Sequence, residues 1–216
     1  PAVEGPAVPL PAELEGGLGL DAVAAESRAV QIVDRVWAST TAARTGIPER
    51  ALIAYAAAER TLVAEQPACG LGWNTLAGIG SVESGHGTFS GSSVFGNGDT
   101  WPRILGPALD GNGFAAIPDT EGGAWDSDPV WDRAVGPMQF IPSTWARWGA
   151  DGNGDGASDP NNIDDAALAA GRYLCAGGGM RDPASWRAAV FSYNHLDSYV
   201  DSIARAANEY AARAEG

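Results

Sequence analysis

One glutamate stands where an acid catalyst could be made. Glu83 closes the apolar run Leu76-Ala77-Gly78-Ile79-Gly80-Ser81-Val82 and is followed by Ser84-Gly85-His86-Gly87. In a helix, Leu76, Ile79, Gly80 and Glu83 share one face. A carboxyl group held against apolar surface ionises with difficulty, so its pKa rises. That is the protonated state a general acid needs near neutral pH. The ordinary alternative is a carboxylate at a frayed helix end, pointing into water. Sugar chemistry suits such an acid. Tryptophan faces stack on sugar C–H surfaces, and Trp73, Trp101, Trp125, Trp131, Trp145 and Trp148 flank the candidate, although core packing is the commoner fate of tryptophan. Most glycosidases pair two carboxylates. Asp99, Asp110, Asp119, Glu121, Asp126, Asp128 and Asp132 are the available partners for Glu83.

A second pattern is Asp151-Gly152-Asn153-Gly154-Asp155-Gly156-Ala157. Oxygen-bearing side chains at alternate positions before a glycine form the first half of an EF-hand-like loop. Ca²⁺ is a hard ion that takes several oxygens, and Ala157 would offer its backbone carbonyl. The place of the usual bidentate Glu is held by Asn162, so Asp159, Asp164 and Asp165 are the substitutes. The competing reading is an Asp/Asn/Gly turn with Asp164 capping the next helix.

Other chemistries find little support. His86 and His195 have no metal-ligand spacing and no triad context, and no phosphate-cradling glycine motif ends in Lys-Ser or Lys-Thr. The net charge of -14 over 216 residues argues against nucleic acid and against docking on an anionic membrane. No stretch is long and apolar enough to span a bilayer. The two cysteines, Cys69 and Cys175, cannot form a CxxC site; they either pair across the chain or remain separate buried thiols.

The elements that must position these groups are mostly helices. Residues 1–19, rich in Pro, Ala, Gly and Glu, read as a linker or mobile arm, and residues 20–216 as one domain. The spacing predicts a helix from Asp21 to about Thr45, another opened by Pro48 and closed near Pro67, and a third over Trp73–Ser84. Residues 85–134 lose all periodicity and read as a long ordered excursion, of the kind that is usually functional. Helical patterns return at Pro142, at Asp164–Cys175, at Asp182–Tyr193 and at Leu196–Ala214. Alternating strand patterns are nearly absent, so the fold class is mainly α.

Val82-Glu83-Ser84, then Gly136-Pro137-Met138-Gln139-Phe140-Ile141-Pro142-Ser143-Thr144-Trp145, then the Asp-rich loop, then Ser192-Tyr193-Asn194-His195 occur in that order. From Trp73 onward the chain resembles the lytic murein transglycosylase B family in its actinobacterial form. The resemblance implies a lysozyme-like fold of the goose-type or soluble lytic transglycosylase kind. It implies cleavage of the β-1,4 bond between N-acetylmuramic acid and N-acetylglucosamine in peptidoglycan. Glu83 matches the single catalytic acid; Ser84, Gln139, Tyr193 and Asn194 match the sugar cleft. A structural Ca²⁺ is implied on Asp151, Asn153, Asp155, Ala157 and Asp165. So is an extracytoplasmic setting, in which a Cys69–Cys175 disulfide would persist. A monomer is expected. The alternatives are a hydrolytic muramidase and a non-catalytic, calcium-stabilised cell-wall binding module.

Overall fold

Capping residues and glycines cut the chain into its helices. The computed structural model describes residues 27–216; the expected arm at 1–19 and the start of the first expected helix lie outside the described residues. The order is α1 (Arg28–Ile32), α2 (Arg35–Thr45), α3 (Glu49–Glu65), α4 (Trp73–Ser84), β1 (Ser93–Val94) and β2 (Thr100–Trp101). Then come β3 (Leu105–Ala108), β4 (Arg133–Val135), α5 (Pro142–Trp148), α6 (Ile163–Cys175), α7 (Pro183–Tyr193) and α8 (Asp197–Glu215). The fold is mainly α, as expected. The first expected helix is two helices. Val33 is extended, and the Asp34 carboxylate accepts the Trp37 N–H at 2.7 Å, which starts α2 afresh.

α3 lies at the centre. Ala51 through Ala58 are all buried, which a helix tolerates only when neighbours cover every face. α6 packs on one side, α4 on another, and α1 and α2 on a third; α8 then covers α4. Leu52, Tyr55, Leu62, Leu76, Ile79, Ile163 and Ile203 are fully buried. Each contributes about 1.5–3 kcal/mol by leaving water. Cys69 and Cys175 form a disulfide with Cα atoms 5.5 Å apart. It ties the α3–α4 loop to the end of α6. Closing a loop of this length removes about 4–5 kcal/mol of unfolded-chain entropy.

The excursion carries two small antiparallel ribbons, β1–β2 and β3–β4. Carboxylates hold much of it together. Buried Asp126 accepts the backbone N–H groups of Asp128 and Arg133, and buried Asp132 accepts the N–H and hydroxyl of Thr120. Asp119 accepts three consecutive amides, from Glu121 to Gly123. Glu121 accepts from Ala124 and Trp125, and Asp128 takes two backbone amides and the Arg133 guanidinium. Acids considered as catalytic partners are therefore turn builders: each supplies acceptors that a strand or helix would otherwise provide.

Gly80 shows how tightly α3 and α4 meet. A Cβ there would lie 2.0 Å from the Tyr55 hydroxyl oxygen. Gly80→Ala must push Tyr55 out of its place, so a loss of about 3 kcal/mol is expected, within the range for overpacked cores. The melting temperature should fall by roughly 6–12 °C. An unchanged melting temperature would contradict this packing.

Candidate functional site

Glu83 sits in the last turn of α4. That helix ends because Gly85 adopts a left-handed conformation (φ 58°), and the N–H groups of Gly85 and His86 return to the carbonyls of Ser81 and Gly80. The C-terminal end of a helix carries partial negative charge, which disfavours a carboxylate there. The Tyr199 hydroxyl, from the first turn of α8, donates to Glu83 Oε1 at 2.6 Å. Burial pushes the Glu83 carboxyl up to about 7, and the Tyr199 bond pulls in the opposite direction. Burial therefore wins, and the group carries a proton near neutrality. The expected apolar setting of Glu83 is thus what the fold provides.

The opposite wall is the turn between β4 and α5. Val135 and Phe140 exchange backbone hydrogen bonds, and the turn between them places Gln139 at φ 51°, a left-handed conformation rare for glutamine. Such a conformation costs about 1–3 kcal/mol and persists only where neighbours enforce it. The Gln139 side chain donates to its own turn at Gly136 O, 2.9 Å away. Gly136 is obligatory: its φ is 77°, and a Cβ would stand 1.8 Å from Pro160 O. Tyr193, at the end of α7, donates its hydroxyl to Met138 O at 2.7 Å and meets Phe140 and Tyr173 edge-on. Burial, then the nearby Glu83 carboxylate, keeps that phenol protonated.

Between these walls lies an open cleft of about 460 Å³. Glu83, Gln139, Tyr193 and Asn194 all line it, with Phe114 from the excursion and Tyr173 from α6. Glu83 is the one carboxylate among the described lining residues. None of the six flanking tryptophans lines it. Trp145 is buried against Phe140, Trp73 meets Trp37, Trp148 meets Tyr173, and Trp101 stands exposed on β2. The aromatic lining comes instead from Phe114, Phe140, Tyr173 and Tyr193.

Ser84 is placed differently from expectation. Its hydroxyl is buried, donating to Pro137 O at 2.6 Å and accepting from Gly87 N–H at 2.8 Å. It ties the Glu83 turn to the Gln139 turn and does not face the cleft. Tyr199 was missed in the sequence, because only the crossing of α8 over α4 brings it to Glu83. His86 is buried between the hydroxyls of Tyr55 and Tyr210, at 3.2 and 2.9 Å, and burial lowers its imidazole to about 4. It pins α3 and α8 to the α4 terminus as a neutral ring. His195 lines the cleft, with Phe191 edge-on to its ring.

The Asp-rich loop lies away from the cleft. Asp151 accepts from the Gly154 and Gly156 amides, Asn153 from Asp155, and Asp155 from Ala157. Asp165, buried at the start of α6, takes the amides of Gly152, Asn153 and Asp159, and burial raises its carboxyl to about 7. One substitute is committed elsewhere. Asp164 forms a buried ion pair with Arg50, and the helix cap is Asn162, not Asp164. Among the described residues no group of three or more His, Cys, Asp or Glu side chains could by itself hold a metal ion. The donors present are nevertheless all oxygens, and an oxygen accepting one amide keeps a second lone pair. Asn161 Oδ1, in the tail of the loop, is buried without a partner. A hard cation would fit here only with help from Asn153 and backbone carbonyls.

The shifted carboxyl makes stability depend on pH. Folded Glu83 titrates at about 7 against an ordinary 4.5, so its contribution is full below 4.5 and is lost as pH rises through 7. His86 acts oppositely, losing stability as pH falls from 6.5 towards 4. Comparing Glu83→Gln with the parent isolates the first effect. The variant should gain about 3 kcal/mol relative to the parent between these limits. Denaturant unfolding across that range checks it; a pH-independent difference would contradict the buried acid. Tyr199→Phe should raise the carboxyl further, read by carboxyl-carbon NMR.

No curated protein and no solved structure matches the chain. Residues 127–214 match the family model described as Transglycosylase SLT domain. That segment holds Gln139, Tyr193, Asn194 and Tyr199, whereas Glu83 precedes it. The match makes this segment, less than half of the chain, similar to lytic transglycosylase domains, and it does not reach down to the transglycosylase B family.

Proposed function

We propose that this domain is a peptidoglycan lytic transglycosylase, cleaving the β-1,4 bond between N-acetylmuramic acid and N-acetylglucosamine and leaving a 1,6-anhydro end. The observation that carries the reading is that Glu83 is the single carboxylate among the described lining residues of the cleft, with its pKa raised to about 7 by burial. A hydrolase that activates water needs a second acid facing the bond. Here the seven acids of the excursion are absent from the cleft lining, and most are spent on backbone amides.

Glu83 donates its proton to the departing glycosidic oxygen as the bond to the anomeric carbon breaks. The muramoyl C6 hydroxyl then attacks that carbon, and the Glu83 carboxylate takes the hydroxyl proton. The acid is regenerated and no water is consumed. An attacker within the same sugar gains from proximity. Tyr199 orients the carboxyl between the two transfers and stabilises its charged form. Gln139 and Asn194 offer amides to the sugars, and Tyr193 holds the wall they stand on.

The disulfide supports an oxidising, extracytoplasmic setting, and no described helix is long and apolar enough to cross a membrane. A Ca²⁺ on Asp151, Asn153, Asp155, the Ala157 carbonyl and Asp165 would hold the loop to α6. It would stiffen the support beneath Gly136 and take no part in bond cleavage. The domain is proposed to act as a monomer.

Mass spectrometry of products from purified peptidoglycan tests the reaction. The parent should release muropeptides lighter by one water than hydrolysed ones, and Glu83→Gln should reduce turnover by about 10³-fold or more, in line with the usual share of acid–base catalysis. Hydrolysed products would favour a muramidase; no products, with binding retained, would favour a binding module. For calcium, 1 mM added Ca²⁺ should raise the melting temperature by about 3–8 °C. Asp151→Ala should abolish that rise, and an indifferent parent would remove the ion from the proposal.

A further inference from the structure

A second cavity, of about 650 Å³, opens at the other end of α4 from the Glu83 turn, between α2, α3 and the first residue of α4. Two of its walls are indoles. Trp37 and Trp73 meet with ring centroids 5.8 Å apart and planes at 79°, so they form a corner and not a flat platform. Both are only partly buried. Asp34 and Glu59 bring carboxylates to the same cavity, and Arg60 stands at its rim. Asp34 is held by capping α2, and Glu59 Oε2 accepts the backbone N–H of Trp73 at 3.1 Å, so neither carboxylate is a freely swinging surface group.

We propose that this corner binds a primary ammonium group carried by the peptides of the cell-wall polymer, as a second attachment site. This rests on the reading of the domain as a peptidoglycan enzyme. Perpendicular aromatic faces with fixed carboxylates bind cations through ring quadrupoles and charge. A sugar ring would favour one open face on which to lie. Asp34 and Glu59 together outweigh Arg60, and burial raises the Glu59 carboxyl, so an entering cation restores solvation that the carboxylate lacks. The chain's charge of -14 attracts the same ligands from a distance.

The placement suits a polymer. Trp73 opens α4 and Glu83 ends it, so the corner and the catalytic acid are about 15 Å apart along one rigid helix. A peptide hanging from the glycan strand in the cleft, or from a neighbouring strand, can reach that far. Holding it would raise the effective concentration of the next bond without any new contact at Glu83.

Indole N–H signals of Trp37 and Trp73, assigned with Trp37→Phe and Trp73→Phe, provide the readout on the whole chain. The probe is Nα-acetyl-lysine methylamide, compared with its Nε-acetylated form. The free amine should shift both signals with a Kd of about 1 mM, and the acetylated form should not. Glu59→Gln should weaken binding roughly fivefold or more. Glu83→Gln should bind as the parent does, because no bond is cleaved; failure of the catalytic reading therefore leaves this result intact. On peptidoglycan, Glu59→Gln should raise KM and leave kcat unchanged, while peptide-free glycan strands should be cut as by the parent. Equal binding of both probes, or no shift of these indoles, overturns the proposal. So does a shift produced by N-acetylglucosamine oligomers in place of the amine.

Discussion

The desolvation of one carboxyl group is the constraint on which the site depends. Glu83 could be placed in water at almost no cost. It is instead set at the negative end of α4, covered by α8, and given one hydroxyl from Tyr199 as partner. A pKa near 7 follows from that environment. The arrangement requires α4 and α8 to approach closely, and the small residues of α4 permit it; a Cβ at Gly78 would lie 3.1 Å from Ile203 O. The desolvation cost is local, and the large buried core around α3 offsets it.

The second wall of the cleft is built by backbone geometry more than by apolar packing. Gln139 adopts a left-handed conformation, Gly136 presses on Pro160, and Ser84 joins the turn to the end of α4. Pro160 and Asn161 belong to the tail of the Asp-rich loop, and Asn161 O accepts from Thr100 of β2. The loop thus buttresses the turn that carries Gln139 through the close approach of Gly136 to Pro160. A chain with 27 acids puts many of them to this use, as fixed acceptors for amides that regular structure would otherwise satisfy.

Periodicity and capping made the helices readable. The third helix over Trp73–Ser84 is α4 without adjustment, and the later helices α6, α7 and α8 begin within a residue of their expected starts. Val30, Val33, Val36 and Trp37 keep helical spacing and so predict one continuous first helix, but the Asp34 cap starts a second. The acids of the excursion, expected as possible partners of Glu83, and Ser84, expected as a sugar contact, mark the limit of such reading. Spacing along a chain cannot say which way a side chain turns once the chain folds back on itself. The tryptophans failed for the same reason, since the packing that buries Trp145 and pairs Trp37 with Trp73 is decided by elements far apart in sequence.

By itself the sequence determined the helical class and the candidacy of Glu83, because local residue types govern helix formation; Gln139, Tyr193 and Asn194 entered only through the resemblance of the ordered motifs. Tertiary structure alone decided that these groups face one cleft, that no second carboxylate joins Glu83 among the described lining residues, and that Tyr199 is its partner. Burial is the physical reason. The free energy of a charge depends on what surrounds it in space, and only the packed chain specifies those surroundings.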